Sequence, residues 1–498
     1  MCLQAITAEF GRSKLIPRRT PESNSLTTLS ERLNTPMWIR LEKIFTVFAL
    51  LFCAGAFIPL LSQQGQQISE DKPQNATFAL IQKQTYYAGG DPARANRIML
   101  VGQILVYGVV AALLIHHRRQ ALLYLRNSKI IWAVVAFSFL SVLWSDEAGF
   151  AFRRCLNMTA TSGLGLYLAC RYSPKQLLRL LGWALIVAIV GSILVVVLRP
   201  DLGIDSALTD YGWKGIFVQK NTLGRLMSFG VLVFLFLAFD SKSHRRAYIL
   251  ALIMCAVMIF GSRSATSIIA VPVVITLTWL FARSRTRSAL QVFAVAILAA
   301  TGITSAVILL SDPTDIFGFV GRDATLSGRI EIWSAVLPKI MVHPWLGYGY
   351  SSFWLGMQGQ ASADLWSILG WPVPHSHNGF FDLVEELGVV GLGLFLAGVI
   401  ISFRRGLLWS RTQRETIALW PFAYISFMLL FNITESSLVR QDNIFWVLYI
   451  TTSVFVLCET KELVSAMPQA QARSFNILSA PPYAPAPSPD QSVGLRWS

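Results

Sequence analysis

The residues that could do chemistry in this chain are few and collect in a handful of places. His375-Ser376-His377-Asn378 offers a base, because an imidazole exchanges protons near neutral pH. Glu385-Glu386 follow two to three helical turns later. The paired histidines could also ligate a metal, but no third ligand stands nearby at typical spacing, so no metal is expected. In TLSGRIEIW, Ser327-Gly328 can turn the chain into a helix whose first turn carries Arg329. A guanidinium beside helix N-terminal amides suits a diphosphate. Arg322 stands just upstream in GRDATLSGR. Arg263, in Gly261-Ser262-Arg263-Ser264, lies between two apolar blocks with almost no loop, an expensive position unless it faces a polar cavity. Lys214, Lys220 and Asn221 stand in WKGIFVQKNTLG, and Arg153-Arg154 follow Trp144-Ser145-Asp146.

Each has a plainer alternative. Arg322–Asp323 and Arg329–Glu331 read equally as surface ion pairs, which contribute little. Arg263 could snorkel to headgroups, the lysines could belong to an amphipathic helix lead-in, and the histidines could simply be interfacial. What favours chemistry is the grouping: several cations and a histidine at one face, within reach of lipid. An anionic headgroup is the natural ligand, and a diphosphate suits so many guanidinium groups better than a monophosphate.

The elements that must position these residues are membrane helices. Of 498 residues, 54% are hydrophobic and only 14% charged, against about 25% charged in soluble proteins. The apolar residues come in blocks of roughly 20, the length that crosses a bilayer. The expectation is an all-α, polytopic membrane protein with about twelve transmembrane helices. Their places are near 41–61, 98–116, 129–144, 155–170, 177–198, 222–239, 247–261, 265–282, 289–310, 379–402, 416–433 and 443–458. The net charge of +15 is distributed in short loops at alternate ends of these blocks, the pattern that keeps cationic loops cytoplasmic. It points to membrane topology and away from nucleic acid. Both termini are then cytoplasmic, with an N-terminal arm at 1–40, a transmembrane domain at 41–458 and a disordered Pro-rich tail at 459–498. The long 311–378 loop, between helices nine and ten, falls on the opposite side with Arg263, Arg329 and His377. Six scattered cysteines without a CxxC read as packing thiols. A GxxxxGK[ST] loop, an HExxH and a GxSxG elbow are all missing from the sequence.

At these residues the chain resembles the O-antigen ligase and polysaccharide polymerase superfamily. The matching pieces run in order from WSDEAGFAFRR through GIFVQKNTLG, GSRSA, TLSGRIEIW and HPWLGYGYSSFW to HSHNGFFDLVEELGVVGL. GRDATLSGR and HSHNGFFDLVEELG are most similar to the bacterial exopolysaccharide polymerase branch. The resemblance implies a GT-C-like glycosyltransferase of the inner membrane that is inverting, metal-independent and free of cofactors. It would polymerise undecaprenyl-diphosphate-linked repeat units into exopolysaccharide with its active site facing the periplasm. Arg263 and Arg329 would hold the donor diphosphate and His377 would activate the acceptor hydroxyl. Lys220, Asn221 and Glu386 match recurrent positions, and Arg322, Asn378, Arg153 and Arg154 are further candidates for substrate binding. His375 lies outside the family's His-Asn pair and receives no role. Expected partners are the lipid-linked glycan donor and acceptor, membrane lipid, a chain-length regulator and export machinery. The rival readings are a ligase moving finished glycan to lipid A-core or protein, and a lipid-linked glycan transporter or flippase.

Overall fold

The computed structural model describes residues 36–57, 92–205, 212–284, 328–371, 373–413 and 415–466. The chain divides into two units, Met1–Thr46 and Val47–Ser498. The first holds the opening of α1 (Pro36–Cys53), where Thr46 Oγ1 donates to the Glu42 carbonyl at 2.8 Å.

The second unit is built from helices. In order come α2 (Pro92–His116), α3 (Arg118–Asn127), α4 (Lys129–Leu140), α5 (Ala148–Arg171), α6 (Pro174–Leu198), α7 (Lys220–Asp240), α8 (Arg245–Ser262) and α9 (Ala265–Ser284). After these come α10 (Arg329–Val342), α11 (Gln360–Leu369), α12 (Gly379–Thr412), α13 (Trp420–Phe431) and α14 (Ile444–Ala466). The sheet among the described residues is one antiparallel pair, β1 (Ile204–Asp205) with β2 (Gly212–Trp213), in register Ile204 to Trp213. The protein is an all-α polytopic membrane protein. Among the described residues seven helices are long and apolar enough to cross a bilayer: α2, α6, α7, α8, α9, α12 and α14. Large apolar side chains such as Ile104, Trp183, Val197 and Phe260 are exposed on them, as a surface solvated by lipid requires. Local signals set the boundaries. At α6, Pro174 takes the first helical position, and Ser173 and Gln176 cap each other's backbone amides reciprocally.

Several expected spans differ in detail. The block at 289–310 lies outside the described residues, as does Arg322. The block at 416–433 is divided between a 3-10 turn, Thr416–Leu419, and the 12 residues of α13. The segment after His116, expected as a loop, instead forms α3. Its axis and that of the α4 segment ending at Trp144 differ by 89°. RRQALLYLRN buries Ala121 and Tyr124 while its arginines and two leucines stay exposed, a two-sided pattern that a search for apolar blocks passes over.

The bundle closes by packing α7 along α8, α14 along α5, and α12 against α4 and α14. Outside it, α10 and α11 enclose a small core of Ile332, Val336, Phe353, Leu365, Trp366 and Val373.

The element that joins this outer layer to the bundle is a break in α12. Gly388 adopts φ 65°, ψ −172° within the 34-residue helix, a conformation essentially restricted to glycine. The backbone groups released there are satisfied by the HPWLGYGY segment. Tyr348 and Gly349 amides donate to the Glu385 and Glu386 carbonyls at 2.8 and 2.9 Å, and the Val389 and Val390 amides donate to Pro344 and Trp345 at 2.8 and 3.2 Å. A Cβ on Gly388 would lie 2.1 Å from the Trp345 carbonyl oxygen. Gly388→Ala is therefore expected to lower thermal stability in detergent, by about 1–3 kcal/mol from the dihedral alone and more from the clash. Gly393→Ala, on the same helix with open space at its Cβ, should leave the melting temperature unchanged or raise it slightly.

Candidate active site

Four segments converge on the turn before α12. The turn itself is held by Asp382, one helical turn in. Asp382 Oδ1 accepts from the Ser376 amide at 2.9 Å, the Ser376 hydroxyl at 2.5 Å and Trp354 Nε1 at 3.2 Å. Trp333 Nε1 on α10 donates to the Ser376 carbonyl at 2.9 Å. Asn378 caps α12, its Oδ1 accepting from the Phe380 and Phe381 amides, so its visible work is to start the helix. Between these anchors His377 is forced to φ 53°. Left-handed backbone on a non-glycine residue is strain that the surroundings must hold in place.

The two imidazoles stand 4.1 Å apart, centroid to centroid. His375 Nδ1 accepts the His377 backbone amide at 3.1 Å, which fixes its neutral tautomer with the proton on Nε2. Burial lowers the pKa of His377; Arg329 and Arg440 push the same way, against Glu435 and Asp382. Burial, then His377 and the arginines 440, 225 and 329, hold His375 well below the ordinary value. Both rings are neutral at neutral pH. His377 Nδ1 is sealed from solvent and has no hydrogen-bond partner.

Three guanidinium groups act on these rings. Arg329, the first residue of α10, is buried and pairs with Glu435 at 3.2 Å, itself nearly buried. Arg440 reaches Asp382 Oδ2 at 2.9 Å. Arg225, one turn into α7, lies 5.0 Å over the Phe445 ring, and its Nε and Nη1 are buried without hydrogen-bond partners. Glu435 and Arg440 sit on the 432–443 connection, which docks on the start of α12: the Gly379 amide donates to the Asn432 and Glu435 carbonyls at 2.9 and 3.0 Å. Tyr350 ties its far end by donating to the Val439 carbonyl at 2.9 Å and to Gln441 at 2.7 Å.

The other sequence candidates fall around this cluster unevenly. Arg263 caps α8 in left-handed conformation, φ 52°, with its side chain exposed. The turn that carries it nests on α7, where a Cβ at Gly224 would lie 2.6 Å from Ser264 Cβ. It also reaches the Glu435 connection through Thr266 and Thr434 hydroxyls 3.2 Å apart. Lys220 is buried at the start of α7 with Asn221 half-buried beside it. Lys214 is buried, and burial lowers its pKa against the pull of Asp205. Glu386 lies within electrostatic range of Arg440 and Arg154, whereas Arg153 is exposed and joins none of these pairs. Sequence reasoning missed Arg225, Asp382, Glu435 and Arg440. An arginine inside an apolar helix is a signal for Arg225. For Glu435 and Arg440 the signal is a polar run, NITESSLVRQDN, between the last two apolar blocks.

Residues 249–396 match the family model described as O-antigen ligase. The exopolysaccharide production protein ExoQ of Rhizobium meliloti (strain 1021) is 26% identical over 326 residues, 62% of this chain and 72% of that protein. A protein of Rickettsia prowazekii (strain Madrid E), named as a candidate polysaccharide ligase, is 35% identical over 80 residues, 16% of this chain and 20% of its own. One of the same name from Rickettsia conorii is 28% identical over 148 residues, 29% and 34% of the two chains. The matched family segment contains Arg263, Arg329 and His377, while Arg225, Glu435 and Arg440 flank it on either side. With its membrane helices and this run of matches, the chain is similar to the O-antigen ligase family over residues 249–396 and to a protein of exopolysaccharide production over most of that protein's length.

Proposed function

We propose that this protein is an inner-membrane glycosyltransferase that polymerises undecaprenyl-diphosphate-linked repeat units into exopolysaccharide on the periplasmic side. The observation that carries the reading is a neutral, buried histidine among three guanidinium groups. His377 takes the proton of the acceptor hydroxyl. The new bond forms from that oxygen to the anomeric carbon, from the side opposite the leaving group, so configuration inverts. The carbon–oxygen bond to the diphosphate breaks and its electrons stay on the lipid diphosphate. Arg329, Arg225 and Arg440 stabilise the charge that grows there, so neither nucleotide nor metal is called upon. Arg263, exposed on the turn that meets the 432–443 connection, is a further cation for the diphosphate.

The test is purified protein in liposomes with undecaprenyl-diphosphate repeat units, products being resolved by size. A ladder supports the reading. The Rickettsia relatives are named for ligation, which favours a second reading: no ladder, but transfer once a lipid A-core or protein acceptor is added. No product with any acceptor would leave transport of the lipid-linked glycan. The pH profile is a sharper check. The base acts in its neutral form, so kcat/KM falls as pH drops through the His377 pKa, which is lowered. Activity should therefore hold through neutrality and fall only below the ordinary histidine value of about 6.5. A midpoint at 7 or above would remove His377 from the role.

A further inference from the structure

Between α10 and α11 lies a cleft of about 810 Å³, within the size range of small-molecule sites. Gly328 opens it, Glu331 and Ser334 line its α10 wall together with Lys339, and Leu369 and Trp371 line the other. The positions 328, 331 and 334 share one face of α10 by helical spacing. Glu331 and Ser334 are exposed there, and the Lys339 ammonium is held by Asp364 at 2.7 Å. Trp371 packs on the small core of the outer layer, and a Cβ at Gly328 would stand 3.1 Å from its ring. This is an aromatic ring beside a carboxylate and a hydroxyl. Such a surface offers a π-face to the C–H side of a pyranose and hydrogen-bond acceptors to its hydroxyls.

Position matters as much as composition. Gly328 borders the cleft and is also the N-cap of α10, and the next residue is Arg329. By helical spacing Arg329 falls with Trp333 on the face of α10 turned to Glu435 and the histidine turn, so the cleft lies on the other side of the same helix end, and a glycan reaches it by passing around Gly328. From there to Lys339 the helix runs about 15 Å, so the lined wall is long enough for more than one sugar.

We propose that this cleft is a glycan subsite, in which Trp371 stacks on and Glu331 hydrogen-bonds the sugars that follow the diphosphate of the lipid-linked substrate. The proposal rests on the reading of Arg329 as a diphosphate ligand. It makes α10 and α11 the element that selects which repeat unit is used.

The experiment measures binding and turnover separately, with full-length protein in nanodiscs. The probes are a soluble repeat-unit oligosaccharide without lipid or phosphate, followed by saturation-transfer NMR, and a short-chain prenyl diphosphate without sugar. Trp371→Ala should weaken oligosaccharide binding about tenfold, as loss of one buried aromatic contact does, and leave prenyl diphosphate binding unchanged. Trp371→Phe keeps an aromatic plate and should retain most of the binding, which separates stacking from misfolding. Glu331→Gln should weaken it less than Trp371→Ala. Wild type that does not bind the oligosaccharide, or Trp371→Ala and Glu331→Gln that bind it as wild type does, overturns the subsite even if the ladder forms. Trp371-dependent binding in a protein that makes no ladder upholds the subsite and removes the polymerase reading instead.

Discussion

His377→Ala is expected to leave the protein folded in the membrane and to lower the rate of glycan transfer by about 10²–10⁴-fold, the contribution of a positioned general base. The geometry supplies an unusual control. His377 sits at φ 53°, where glycine is at ease and other residues are strained. His377→Gly should therefore be at least as well folded around that turn as wild type, so its inactivity cannot be assigned to misfolding. His375→Ala should have a smaller effect. It removes the acceptor of the His377 amide but leaves the base, acting through position alone. Transfer rates for the three variants, measured beside their melting temperatures, check this. Retention of wild-type turnover by His377→Gly would end the assignment.

Arg329→Ala should have the second large effect, and here stability and activity separate. The Arg329–Glu435 pair is nearly buried on both sides. Removing one partner strands the other charge in low dielectric, at a cost of about 3–5 kcal/mol. Both Arg329→Ala and Glu435→Ala should then melt early. Removing both charges relieves that cost, so the double variant should recover most of the lost stability. Activity should not return with it, because the guanidinium that meets the diphosphate is still gone. A double variant that regains both thermal stability and polymer would reduce the pair to a structural ion pair. Arg440 offers the same contrast with Asp382 in weaker form, since its side chain is one-third exposed.

Arg329 was legible as a candidate because Ser327-Gly328 can open a helix at it, and His377 because an imidazole stands at the start of an apolar block. Their partners were not. Glu435 lies 106 residues from Arg329 and Arg440 lies 58 from Asp382, and nothing in a linear pattern joins them. The all-α membrane fold was plain from composition and block length. The number of crossings was less so: α5 carries Arg153, Arg154 and Asn157, and α13 is short, so periodicity alone does not say how each meets the bilayer. The break at Gly388 was hidden because ELGVVGLGLF reads as uninterrupted span, and only the approach of the Trp345 carbonyl reveals why a glycine must stand there. Asn378 was read as a substrate ligand from its place beside His377, a place that a helix cap fills equally well.

That break also sets how the membrane acts on the protein. An unbroken helix of 34 residues would be about 51 Å long, far beyond the roughly 30 Å of hydrocarbon, and would tilt or bend to fit. Beyond Gly388, the stretch 389–412 measures about 36 Å and fits with modest tilt. The first turns of α12, with Asp382 and the histidine turn behind them, are instead moored to the 343–350 segment. The 343–350 segment bonds both sides of the break, Glu385 and Glu386 before it and Val389 and Val390 after it, so the start of α12 and the histidine turn are fixed to the outer layer while the rest of the helix is left to match the bilayer.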